Sequence, residues 1–260
     1  MRRFIFTTRR ILIIILALAS VFLLNGVTEY FIVQSKINEF KSRGVEYSYV
    51  ERTNTYFYIV PKKHDYEDNS RNVIDFDMKA LGSKTDIFIT TRNPMRDNPM
   101  FSWIVAPLSK YFYVGHATIN ADDDGFSVIE VFGNGGDPEE NIVTMSDNIW
   151  YISDEETPNV IGLRIKNTTE EQRDKIIEYA ESKIGLPYNY TFLFNRSRSY
   201  YCTDLVSRAV ASAGININYD YLATTGNDII VSRNVYIIYY RELVYENGKP
   251  RYNVYFLEEE

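Results

Sequence analysis

Residues 111–132 read YFYVGHATINADDDGFSVIEVF, and their pattern decides how the chain folds. The runs 111–119 and 126–132 are rich in aromatic and β-branched side chains and predict two strands. Between them NADDDG at 120–125 has hairpin-turn chemistry. On the first strand His116 shares a face with Phe112, Val114 and Thr118; the plainest alternative is a core histidine satisfied by a backbone carbonyl. A turn centred on Asp123 sets His116 directly opposite Glu130, and a register two residues away sets them diagonally on one face. Opposite residues have Cβ atoms ~5 Å apart and diagonal ones ~7–8 Å. An odd shift would place them on opposite faces. Glu130 is the only charge in FSVIEVF, where an unpaired carboxylate would be costly.

Working outward, TDIFIT at 85–90 predicts another strand, and VEYSYVE (45–51) with TYFYIV (55–60) predicts a hairpin. The charged stretch 61–72, with His64, reads as a loop and its histidine as a solvated residue. A helix is expected over 169–184, capped by Thr168 with Glu171, striped by Ile176, Ile177, Ala180 and Ile184, and ended by Gly185. A second begins near Cys202, with Leu205, Val206, Ala209, Val210 and Ala213 on one face and Gly214 as the stop. VYIIYY at 235–240 is a further strand. Strands and helices in separated runs make the class α+β.

The N-terminus reads differently. ILIIILALASVFLL at 11–24 carries no charge and follows Arg2, Arg3, Arg9 and Arg10. A signal peptide needs ~7–15 apolar residues and a cleavage site, a spanning helix ~17 or more. Residues 11–27 reach that length and no clean cleavage site follows Leu24, so an uncleaved membrane anchor is preferred over a cleaved signal. The basic flank then stays cytoplasmic and the body lies outside. Tyr30, Val33, Ile37 and Phe40 continue as one face of a stalk helix stopped by Gly44. The expected organisation is a basic segment (1–10), an anchor (11–27), a stalk helix with hairpin (28–82), a main domain (83–245) and a tail (246–260).

Composition narrows function. The 260 residues carry a formal charge of −7, and setting aside the four arginines leaves 24 basic against 35 acidic residues. So acidic a body is a poor nucleic-acid partner. One cysteine excludes an intrachain disulfide and a cysteine-rich zinc site, and with two histidines no metal or cofactor is expected. The DDD run does not alternate ligands and spacers as calcium loops do. Residues 133–137 (GNGGD) lack the spacing of a phosphate loop.

Cys202 is the candidate nucleophile. A free cysteine is usually an inert small hydrophobe, but this one opens a helix, whose positive end stabilises thiolate. Cys202, His116 and Glu130 together supply a thiol, an imidazole base and a carboxylate to orient the base. The Cys202 backbone N–H offers an oxyanion donor.

The order of histidine, acidic residue and helix-opening cysteine is reversed from papain and resembles the circularly permuted NlpC-type papain-like hydrolases, YiiX-like (YebB-like) proteins in particular. The matching stretches are TDIFITTR (85–92), YVGHATI (113–119), VIEVFG (128–133), GLPYNY (185–190), YCTDLVSRA (201–209) and TTGNDIIVS (224–232). The resemblance implies a permuted papain-like domain with an antiparallel sheet and packed helices, with Cys202, His116 and Glu130 as its triad. It also implies a structural role for Asp204, and substrate contact at Tyr201, Tyr188 and Asn189. Relatives include peptidases, amidases and lipid acyltransferases, so the fold does not name a substrate. The expectation is a membrane-anchored extracytoplasmic thiol hydrolase acting on a cell-wall peptide, or on an acyl lipid. The alternatives are a catalytically silent binding module and a Tyr-rich structural envelope protein.

Overall fold

The computed structural model describes residues 2–92, Trp103, Ser109, Tyr113 and residues 115–133, 140–151, 158–191, 198–218 and 223–260. Over residues 2–23 only the side chains of Arg10, Ile13, Ile14, Leu16, Ala17, Ser20 and Val21 are described. Phe112, Val114 and all but the first residue of the 133–137 glycine stretch lie outside the described residues.

Helix α1 spans Arg2–Ser42. Val33, Ile37 and Phe40, spaced four and three apart, are buried in the core, so the C-terminal part of the helix belongs to the body. Upstream, Ile13, Ile14, Leu16, Val21 and Leu24 are exposed. Among the described residues no helix is long and apolar enough to cross a membrane. The structure therefore does not support the membrane helix expected over 11–27, of which several side chains lie outside the description.

Strands follow in the order β1 (Val45–Val50), β2 (Thr55–Val60), β3 (Ile74–Asp75), β4 (Ala80–Leu81), β5 (Ile87–Thr90), β6 (His116–Asn120), β7 (Ser127–Val131), β8 (Val143–Asp147), β9 (Asn159–Ile165), β10 (Val235–Glu246) and β11 (Lys249–Leu257). Nine of these form one sheet in the order β1-β2-β11-β10-β9-β5-β6-β7-β8, and β3 pairs only with β4. The sheet is mixed rather than antiparallel throughout, because β2 and β11 run parallel. The expected tail thus contains β11, which joins the N-terminal hairpin to β10.

Helices α2 (Glu170–Glu181), α3 (Cys202–Ser212) and α4 (Gly226–Val231) follow among the described residues. The α2 cap is one residue later than expected: Thr169 accepts from the Gln172 backbone N–H, and the Gln172 side chain returns the bond. Side-chain alternation splits the sheet into two faces. Ile87 and Ile89 of β5 pack with Leu205, Val206 and Ala209 of α3 on the helix side. Phe88 faces a smaller cluster with Trp150, Val160 and Tyr239 on the other. That second face is closed by the loop after β2. Buried Arg164 makes two bonds to Asp86 (2.9 and 2.7 Å) and donates to the carbonyls of Asp68, Arg71 and Asn72.

The 120–125 turn is built as its residues suggest. Asp122 accepts from the backbone of Phe126 and Ser127, and its carboxylate meets the Ser127 hydroxyl. Gly125 has a φ of +74°, and a Cβ there would lie 2.5 Å from the Gly82 carbonyl oxygen. Only glycine suits both conditions.

Candidate active site

Strand register brings the first two groups together. Ile119 pairs with Ile129 and Asn120 with Val128, so the alignment carried down the hairpin sets Glu130 against Thr118 and leaves His116 diagonal to it. This is the second of the two registers the sequence allowed. His116 Nε2 lies 2.8 Å from Glu130 Oε2, with both side chains buried. The strand is shorter than expected, and His116 is its first residue. The imidazole therefore stands at the end of the sheet, within reach of a group arriving from the helix side.

That group is Cys202. Helix α3 packs on β6 and β7 and starts at Cys202, with Tyr201 as an N-cap that makes no side-chain cap bond. The first N–H groups of the helix are thus unshared by a side-chain capping oxygen. The thiol is hydrogen-bonded to His116, and the backbone N–H groups of Ala117 and Thr203 donate to it. With Nε2 held by Glu130, Nδ1 is the ring nitrogen left for the thiol. The order carboxylate, Nε2, Nδ1, sulfur is the geometry of a thiol hydrolase.

The electrostatics agree with that arrangement. Burial alone would lower the His116 pKa, but the hydrogen bonds to Cys202 and Glu130 outweigh it and raise the imidazole to about 9. For Cys202 burial opposes ionisation. His116 and the two backbone donors overcome it, and the thiol falls below its ordinary range. Both shifts favour the thiolate–imidazolium pair. Two aromatic rings frame the imidazole. Phe132, directly opposite on the continued register, stacks on it at 4.1 Å and 17°, and Trp150 stands 5.9 Å away. Trp150 is fixed by donating Nε1–H to Thr118 Oγ1 at 3.0 Å.

The other sequence candidates fall in different places. Tyr188 is half-buried beside Cys202, and burial together with the thiolate charge raises its pKa. It is placed there by a short ladder: Tyr188 bridges Tyr200, and Tyr200 N–H donates to the Pro187 carbonyl. Gly133 lets the ring approach, because a Cβ there would sit 2.5 Å from it. Asn189 is buried, and its side-chain oxygen accepts from Thr191 N and Oγ1, which shapes the loop. Tyr201 is buried with its hydroxyl accepting from Thr224 N, 2.9 Å away. Asp204 is wholly buried against Arg208 at 3.3 Å, and burial raises its pKa to about 6. A cleft of about 620 Å³ is lined by Pro187, Tyr188, Tyr190, Thr191 and Arg198. Sequence reading missed Phe132, Trp150 and the Ala117 donor. The hairpin register could have found Phe132; nothing local marks Trp150, which arrives from beyond β8. Among the described residues no group of three or more His, Cys, Asp or Glu side chains is placed to hold a metal ion.

The arrangement resembles that of a permuted papain-like cysteine hydrolase, with the helix that bears the thiol following the strands that bear the imidazole and carboxylate. Residues 109–234, just under half the chain, are similar to the family described as "Permuted papain-like amidase enzyme, YaeF/YiiX". A solved structure, "Crystal structure of metalloprotein yiiX from Escherichia coli O157:H7", is similar at 14% identity and a TM-score of 0.45, over 60% of this chain and 96% of that one. No curated protein sequence matches.

Proposed function

We propose that the protein is an extracytoplasmic thiol amidase, tethered by residues 11–27, that cleaves amide bonds of cell-wall peptides with Cys202, His116 and Glu130. The observation that carries the reading is the buried His116–Glu130 bond of 2.8 Å with Cys202 hydrogen-bonded to the same ring. In the reaction the Cys202 thiolate attacks the substrate carbonyl carbon. Negative charge moves to the carbonyl oxygen, facing the N-terminus of α3. The C–N bond then breaks as the His116 imidazolium gives its proton to the leaving amine, forming a thioester. Neutral His116 next takes a proton from water, whose oxygen attacks the thioester, and the acid leaves as the thiol is regenerated. Glu130 holds the ring in one tautomer and stabilises its charged form. Tyr188, at the mouth beside the sulfur, is the side chain placed to contact the substrate.

The tether rests on the arginine cluster, the uncharged run behind it, and the exposed Ile13, Ile14, Leu16, Val21 and Leu24 on α1. Exposed apolar residues clustered in this way need a covering medium, and a bilayer is one that fits a basic cytoplasmic flank. The test is digestion of purified wall peptides with mass-spectrometric detection. New amine and acid termini that disappear in Cys202→Ala support the reading. Intact peptides, with acyl lipids deacylated instead, would redirect the substrate to lipid.

A further inference from the structure

We infer that the cleft between α1 and the start of β10 is a binding site for a phosphate group, separate from the Cys202 site. The cleft measures about 320 Å³ and is lined by Lys36, Glu39, Arg43, Lys63, His64, Tyr66, Glu67 and Lys166, among others. Its two carboxylates are already neutralised. Arg43 bonds Glu67 at 2.8 and 3.0 Å and meets Glu39 at 3.4 Å, and Lys63 pairs with Glu39 at 2.9 Å. Lys36 and Lys166 remain: neither forms an ion pair among the described residues, and Lys166 feels only the charge of Glu67, which Arg43 already holds.

These two ammonium groups lie close enough to repel. Burial first, and then the Lys166 charge, lower the Lys36 pKa to about 8. Lys36 Nζ donates to the carbonyls of Ile230 and Ser232 at 2.7 and 2.9 Å, which fixes it and leaves one N–H unused. Lys166 Nζ sits 3.7 Å above the Tyr66 ring, which stacks on His64. In a chain of net charge −7, two cations that repel across one cleft and lack an ion-pair partner favour an anion between them. A phosphate supplies two negative charges and several acceptor oxygens, with His64 as a further donor at the rim. The phosphate could be free in solution or carried on a lipid headgroup, since α1 lines the cleft and runs toward the apolar segment.

The experiment is calorimetric titration of the full chain with inorganic phosphate at constant ionic strength. A parallel arm compares phosphatidylglycerol vesicles with phosphatidylcholine vesicles. Saturable phosphate binding is expected, weakened about tenfold or more in Lys166→Gln and retained in Lys166→Arg. If only phosphatidylglycerol vesicles discriminate Lys166→Gln from wild type, the phosphate is a headgroup. Cys202 alkylation should be unchanged in both variants, because Lys166 is outside that site. No phosphate binding together with no preference for phosphatidylglycerol overturns the inference, as does undiminished binding by a folded Lys166→Gln chain.

Discussion

The imidazole of His116 is gripped on every side that matters: Glu130 at Nε2, Cys202 across the ring and Phe132 on its face. Glu130 and Cys202 both favour its charged form. The His116 pKa is raised to about 9 while that of the thiol is lowered, so both shifts favour the ion pair. Turnover that needs imidazolium as the acid should therefore hold through pH 8 and fall as pH passes about 9, where the proton is lost. Glu130→Gln keeps the shape but removes the charge, and should shift that fall to lower pH and cut the rate by about 10²-fold or more. Phe132→Leu removes a ring worth up to about one pKa unit to a partly desolvated cation. Its alkaline limb should move down by about that much, and Phe132→Trp should restore it, measured as the pH profile of either variant.

At the scale of elements, the sheet is secured by an ion pair in its interior. Arg164 and Asp86 are both buried, and the arginine also ties down the loop at residues 68–72. Removing one partner strands the other: Arg164→Ala should cost about 3–5 kcal/mol in urea denaturation. The double variant Arg164→Met, Asp86→Leu should recover part of that loss. The local pattern of alternation and caps made β1, β2, β5, β7, α2 and α3 legible in the sequence, with α2 shifted by one residue at its cap. β9 was not seen, because NVIGLRI is apolar on both faces except for Arg164, whose partners lie in distant segments. Nor was β11, whose polar start resembles a tail until it pairs with β2. The His116–Glu130 pair was nameable because register links the two within a fourteen-residue hairpin separation. Trp150 and the Ala117 N–H depend on tertiary placement and carry no local mark.

For the whole molecule, α1 is both appendage and core. Removing residues before 28 takes out none of the described buried side chains of α1, whereas removal through residue 42 also takes out Val33, Ile37 and Phe40. Each buried side chain of this size is worth about 1.5–3 kcal/mol. The shorter truncation should fold and, under the tether proposed above, appear in the soluble fraction on cell fractionation. The longer one should unfold at markedly lower urea. The most direct test of the central claim is the pH dependence of Cys202 alkylation in the full chain beside His116→Ala. An ion pair predicts fast labelling already at pH 6–7, changing little up to pH 8, with the His116→Ala thiol titrating at or above its ordinary ~8.5. Slow labelling of the wild type that rises only above pH 8.5, in parallel with His116→Ala, would contradict it.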